Sequence, residues 1–229
     1  MNKYRLFTGI ISGLIVLNLP LLVVLGNFRL LVFDEGFYAL ESRKLGTNES
    51  FENPDEVIHS LTGYYKGRDE LSPKLFSREE LSHLADVKSV INKANTIFYS
   101  IAAAEIVLAV LLASTFPRKK FFASYMSKCI IIGGFLTIAY IALIFMLTLN
   151  FSPSFESFHT IFFPGGNYAF PQDFALIALF PEKFFMDFVA KIIINSLISA
   201  IALIIAAFIA GKIWGISKHE KGRANSEAS

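Results

Sequence analysis

Apolar residues along this chain are gathered into four long runs, at residues 6–28, 94–116, 129–149 and 192–214, each nearly free of charge. The amphipathic helices of a water-soluble domain would instead spread them at three- and four-residue spacing. At 1.5 Å per residue, a helix of about twenty residues crosses the ~30 Å hydrocarbon layer of a bilayer. The pattern predicts a mainly α, polytopic membrane protein: one membrane domain over 1–229 with four transmembrane helices. The first run is longer than the apolar region of a secretory signal, and three more follow, so it is expected to stay as a helix. Two long stretches, about 29–93 and 150–187, are expected to form an extracytoplasmic head, and the polar tail 218–229 to be disordered.

Charge sets the expected orientation. Lys3 and Arg5 precede the first run; Arg118, Lys119, Lys120 and Lys128 fill the short link between the second and third; Lys212, Lys218, Lys221 and Arg223 follow the fourth. Acids outnumber bases in the two long stretches. The positive-inside rule therefore places both termini in the cytoplasm and the long loops outside the cell membrane. A net charge of +2, with no basic patch interleaved with aromatics, argues against nucleic acid as a partner.

Within the first loop, 34–46 and 54–65 read as short helices, the former broken by Gly46-Thr47-Asn48. Ser77-Arg78-Glu79-Glu80 is a capping box, opening a helix that runs over 78–92 into the second apolar run, with an apolar stripe of Leu81, Leu84, Val87 or the Lys88 stem, and Ile91. In the second loop Pro164-Gly165-Gly166-Asn167 separates Ile161-Phe162-Phe163 from Tyr168-Ala169-Phe170, which suggests a hairpin or an aromatic wedge. Phe180-Pro181-Glu182-Lys183-Phe184-Phe185 reads as an interfacial aromatic anchor.

Two of the four histidines, His83 and His159, stand in these loops beside acids or aromatics. Asp86 follows His83 by one helical turn, close enough to bond one imidazole nitrogen and leave the other for proton transfer; an ordinary surface histidine fits the same spacing. Lys88 reads as a cation for developing negative charge or as a snorkelling lysine. Asp173, Glu182 and Asp187 lie further along the second loop. His59 reads as structural and His219 as solvated. Glu105 falls in mid-span, where a carboxylate usually faces a bundle interior; Tyr99, Tyr140 and Asn195 are its expected partners. Cys129, the single cysteine, reads as a small apolar helix residue. There is no Gly-x-Ser-x-Gly elbow, no His-Glu-x-x-His helix and no phosphate-binding glycine loop. An enzyme of this sequence is therefore expected to work by direct acid–base transfer, without a metal or other cofactor.

The blocks Phe33-Asp34 with Phe37-Tyr38, Phe76 through Lys88, and Phe158-His159 through Phe185, set in a four-span layout, resemble an integral membrane family known as domain of unknown function 1461. It includes the lipoprotein intramolecular transacylases of low-GC Gram-positive bacteria. The resemblance implies transfer of an acyl chain from the diacylglyceryl group of a lipoprotein's N-terminal cysteine to that cysteine's α-amine, at the outer leaflet. It also implies that His83 and His159 are the family's two histidines. Asn167-Tyr168 stands where the family pattern has Asn-Trp, an altered aromatic slot. Tyr38 and Asn167 from the matched blocks join Asp86, Lys88 and Asp173 as the expected supporting set. Two other readings stand beside the acyltransferase: a non-catalytic protein binding lipid or lipoprotein, and a metal-dependent hydrolase using His83, His159 and Asp173.

Overall fold

The computed structural model describes residues 3–71, 74–171 and 173–226, with side chains described from Tyr4 to Ile213. They form eight α-helices: α1 (Lys3–Val32), α2 (Glu35–Leu45), α3 (Pro54–Tyr65), α4 (Arg78–Ser114), α5 (Lys119–Thr148), α6 (Phe151–Phe162), α7 (Ala175–Leu179) and α8 (Glu182–Ser226). A 3-10 turn, Thr47–Ser50, joins α2 to α3. No strand occurs among the described residues. Four helices are long and apolar enough to cross a membrane: α1, α4, α5 and the part of α8 to Ile213.

Local sequence accounts for the ends of the short helices. The Asp34 carboxylate accepts the Phe37 amide at 3.2 Å to start α2, and Gly46 ends it at φ 72°, where a side chain would be strained. Pro54 opens α3 in the first turn, where its missing N–H is no loss. At α4 the capping box forms in both directions: the Ser77 amide donates to Glu80 Oε2 at 2.7 Å and the Glu80 amide to Ser77 Oγ at 3.2 Å. The helix begun there runs through 92. With neither Gly nor Pro before Ser114, it continues unbroken into the apolar run.

Two expectations are corrected. Ile161 and Phe162, read as part of a hairpin or an aromatic wedge, end a helix over 151–162 instead of forming a hairpin arm, because Phe151, Phe155, His159 and Phe162 recur at helical spacing and Pro153 falls in the first turn. Helix α8 runs to Ser226, since adding turns to an existing helix carries no nucleation cost; residues 227–229 and the His219 side chain lie outside those described. The rings at 180–185 are packed inward instead of serving as anchors. Phe184 is buried, and Phe180 and Phe184 lie 6.0 and 5.5 Å from the ring of Tyr38.

The chain divides into two compact units. The first comprises Met1–Val24, Phe98–Ala142 and Ile194–Ser229. Ile11, Ile15, Leu112 and Cys129 form its core. Gly133 and Gly134 let α5 lie close to two neighbours: a Cβ on Gly133 would meet Leu19 at 2.8 Å, and one on Gly134 would meet Ile204 at 2.5 Å. Glu105 accepts a 2.9 Å hydrogen bond from Asn18 of α1, a partner none of the expected three supplied. Which helix faces Glu105 depends on how α1 and α4 pack, and a single-helix pattern does not encode that.

The second unit comprises Leu25–Ile97 and Leu143–Ile193. Leu61, Tyr65, Phe76, Leu84, Ile91, Leu176 and Leu179 are buried together, with Leu81 and Val87 packed against them, which is the stripe read from α4. Glu80 is 2% exposed and has a second role beyond the cap: its Oε1 accepts the Leu176 amide at 2.8 Å, joining α7 to the start of α4.

Candidate functional site

His83 lies on the second turn of α4 and His159 on the last turn of α6, both in the second unit and both buried, at 8% and 9% exposure. Their rings are nearly parallel, tilted by 21°, with centroids 6.2 Å apart. Aromatic side chains enclose the pair. Phe163 and Phe170 lie 4.7 and 5.6 Å from the His83 ring; Phe155 and Tyr168 lie 4.3 and 5.1 Å from that of His159. Such walls exclude water and strengthen the electrostatic interactions inside them.

The two imidazoles differ in how they are held. His159 Nδ1 bonds the carbonyl oxygen of Phe155, one turn earlier, at 2.8 Å. A carbonyl only accepts, so Nδ1 carries the proton and the lone pair is left on Nε2. His83 Nδ1 is buried without a hydrogen-bond partner among the described residues. Burial foremost, and then the neighbouring His159, push the His83 pKa down to about 4, against an opposing pull from Asp86. His83 is therefore a neutral imidazole at neutral pH.

That shift has a measurable sign. Unfolded, an imidazole titrates near pH 6.5; here the folded value is about 4. Between the two the unfolded chain binds the extra proton, so stability falls as the pH is lowered through that window and is indifferent to His83 above it. In detergent, the melting midpoint is expected to drop between pH 6.5 and 4, and His83→Gln to remove part of that drop. Equal pH slopes in wild type and variant would contradict a buried neutral His83.

Asp86 does not bond the His83 ring. Its Oδ2 accepts from Asn167 Nδ2 at 2.7 Å, and the same amide nitrogen lies 3.4 Å from Ser82 Oγ. Asn167 Oδ1 is left buried without a partner among the described residues. The turn that delivers Asn167 closes with the Gly166 amide on the Phe163 carbonyl at 3.0 Å, and Gly166 holds a φ of 71° that other residues rarely adopt. Tyr38 is buried elsewhere in the unit, donating to the Val32 carbonyl at 3.2 Å, and burial raises its pKa beyond the ordinary phenol range. Lys88 rests its ammonium over the ring of Tyr64 at 3.9 Å. Asp173 is exposed, and among the described residues no group of three His, Cys, Asp or Glu could hold a metal ion; the set His83, His159 and Asp173 is thus not assembled as ligands.

The structure thus brings together His83, His159, Asp86 and Asn167, and leaves Tyr38, Lys88, Asp173 and Glu105 in other settings. Sequence reasoning missed the Phe155 carbonyl, which a helical reading of 151–162 would have placed one turn before His159. It also missed the second bond of Glu80, for which no local signal exists. His59, read as structural, bonds Glu35 at 3.0 Å, and that bond with those of Thr62 and Lys66 brings the Glu35 pKa down to about 2.

Among curated proteins nothing matches this chain. Its fold is similar to that of the membrane integral lipoprotein intramolecular transacylase Lit from Bacillus cereus, with a TM-score of 0.74 at 19% identity over 93% of this chain and 98% of that one. A variant of that protein with a histidine replaced by alanine gives 0.75 at 19% identity, covering 91% and 96% of the two chains. One with arginine in place of a histidine gives 0.73 at 22%, covering 93% and 97%. The family model for lipoprotein intramolecular transacylase Lit matches residues 13–185. Since that match takes in both buried histidines and everything between them, this chain belongs to the lipoprotein intramolecular transacylase family and is a multi-pass membrane protein.

Proposed function

We propose that this protein moves one acyl chain within a lipoprotein, from an ester of the diacylglyceryl group to the α-amine of the N-terminal cysteine. The observation that carries the reading is the pair of buried imidazoles with nearly parallel rings, 6.2 Å apart and enclosed by aromatic side chains. The active site belongs on the extracytoplasmic side, in a head built from the two long loops, with both termini in the cytoplasm; the charge asymmetry of the loops supports this placement.

The chemistry follows from the two imidazoles. The substrate supplies its own nucleophile, so amine and ester meet at high effective molarity. The amine nitrogen attacks the ester carbonyl, a C–N bond forms, and the carbonyl electrons move to oxygen. Nε2 of His159, its ring held by the Phe155 carbonyl, takes the amine proton. The neutral His83 donates an N–H hydrogen bond to the oxyanion. When the C–O bond breaks, His159 returns its proton to the departing alkoxide. The net change is one ester for one amide and one hydroxyl, with the protein unchanged. Asn167, tied to Asp86, offers Oδ1 to an N–H of the substrate.

The test is incubation of the purified protein with a synthetic diacylglyceryl lipopeptide. A product of unchanged mass is expected whose fragmentation places one acyl chain on the amine, while the N-acetylated lipopeptide stays inert. Release of free fatty acid, or binding without turnover, would replace this reading with a hydrolase or a lipid-binding protein.

A further inference from the structure

A cavity of about 690 Å³ opens in the second unit, away from the imidazoles, along one face of α4. Lys88, Ser89, Asn92, Lys93 and Thr96 line it from the helix, three or four residues apart, and Tyr64 closes one side. Its size suits a lipid head rather than a single ion. No acid lines it. In a stretch where acids outnumber bases, neither Lys88 nor Lys93 has a carboxylate within ion-pair distance among the described residues. The Lys88 ammonium is nevertheless held in place over Tyr64. The cavity ends at Thr96 and the half-exposed Ile97, in the first turn of the apolar run that starts at 94. The two cations therefore sit where the phosphates of a bilayer lie, with an apolar floor toward the acyl chains.

We propose that this cavity holds the phosphodiester headgroup of an anionic phospholipid. Lys88 and Lys93 pair with the non-bridging oxygens, and Ser89 and Asn92 donate hydrogen bonds to the head. One phosphate answers both unopposed lysines, and Ile97 continues the site into the membrane, as a free inorganic anion would not require.

Native mass spectrometry tests this on the purified full chain released from nanodiscs of equal parts phosphatidylglycerol and phosphatidylcholine. The wild type is expected to retain phosphatidylglycerol over phosphatidylcholine by about thirtyfold, the scale of two lysines near a membrane surface. Lys93→Gln, an exposed change that leaves the fold intact, is expected to remove most of the preference, and Lys88→Gln with Lys93→Gln all of it. Lys191→Gln removes an exposed charge at the start of the fourth apolar run, outside the cavity, and is expected to keep the preference. Equal retention of both lipids, a preference that survives the double substitution, or a loss shared by Lys191→Gln would each overturn the proposal. Displacement of the lipid by millimolar inorganic phosphate would overturn its lipid part in favour of a free-anion site.

Discussion

Replacing His159 by alanine is expected to lower the rate of acyl transfer by about 10²–10⁴-fold, the usual contribution of a positioned general acid–base. The same imidazole takes the amine proton and returns it to the alkoxide, so its loss removes both transfers at once. The rings around the pair belong to phenylalanines and a tyrosine, and the nearby Asp86 carboxylate is already engaged by Asn167. His83 answers to a different test, because its role is to donate a hydrogen bond while neutral. His83→Ala is expected to fall to a similar level, whereas His83→Asn, which keeps an N–H donor, recovers part of the rate; His159→Asn recovers none. The double alanine variant is expected to be little worse than either single one, as for residues that act as a unit. These rates are read by mass spectrometry of the lipopeptide, with melting in detergent to establish that each variant is folded. Undiminished transfer with both histidines gone would remove the mechanism altogether.

Glu80→Ala is expected to be the most destabilising single substitution in the second unit. The side chain is almost fully buried and accepts from two backbone amides, Ser77 at 2.7 Å and Leu176 at 2.8 Å. A hydrogen bond to a charged group contributes about 1.5–3 kcal/mol, so losing both costs roughly 3–6 kcal/mol and leaves two amides unsatisfied. Leu176 and Leu179 of α7 belong to the core shared with Leu84 and Ile91, so the damage spreads to the helix that carries His83. A lower melting midpoint and reduced activity are expected together. Glu80→Gln, which keeps one acceptor oxygen, should fall between wild type and alanine. An alanine variant that melts with the wild type would mean that the cap and the α7 bond contribute little.

Membership of the family and the four-span architecture were legible in the residues because both rest on local signals. Long apolar runs specify spanning helices in a medium that hydrogen-bonds no backbone group. Asp34, Gly46, Pro54 and the Ser77–Glu80 box set helix ends through contacts a few residues apart. The two histidines were legible as candidates for the same reason, standing outside the apolar runs among acids and aromatics. Their relation was not. Local pattern tied Asp86 to His83, one turn away, yet the carboxylate turns to Asn167 of the other loop, and the imidazole is left to the neutralising effect of burial. Glu105 likewise finds Asn18 on a different helix. Partner choice of this kind depends on which surfaces pack together. The rings of Phe163 and Phe170 meet His83 only once α6 and the following turn lie against α4. By itself, then, the sequence determined the helices, their ends and which residues carry chemistry. Tertiary packing alone decided that two distant imidazoles share one water-poor cage, what each bonds, and so which of them is free to move a proton.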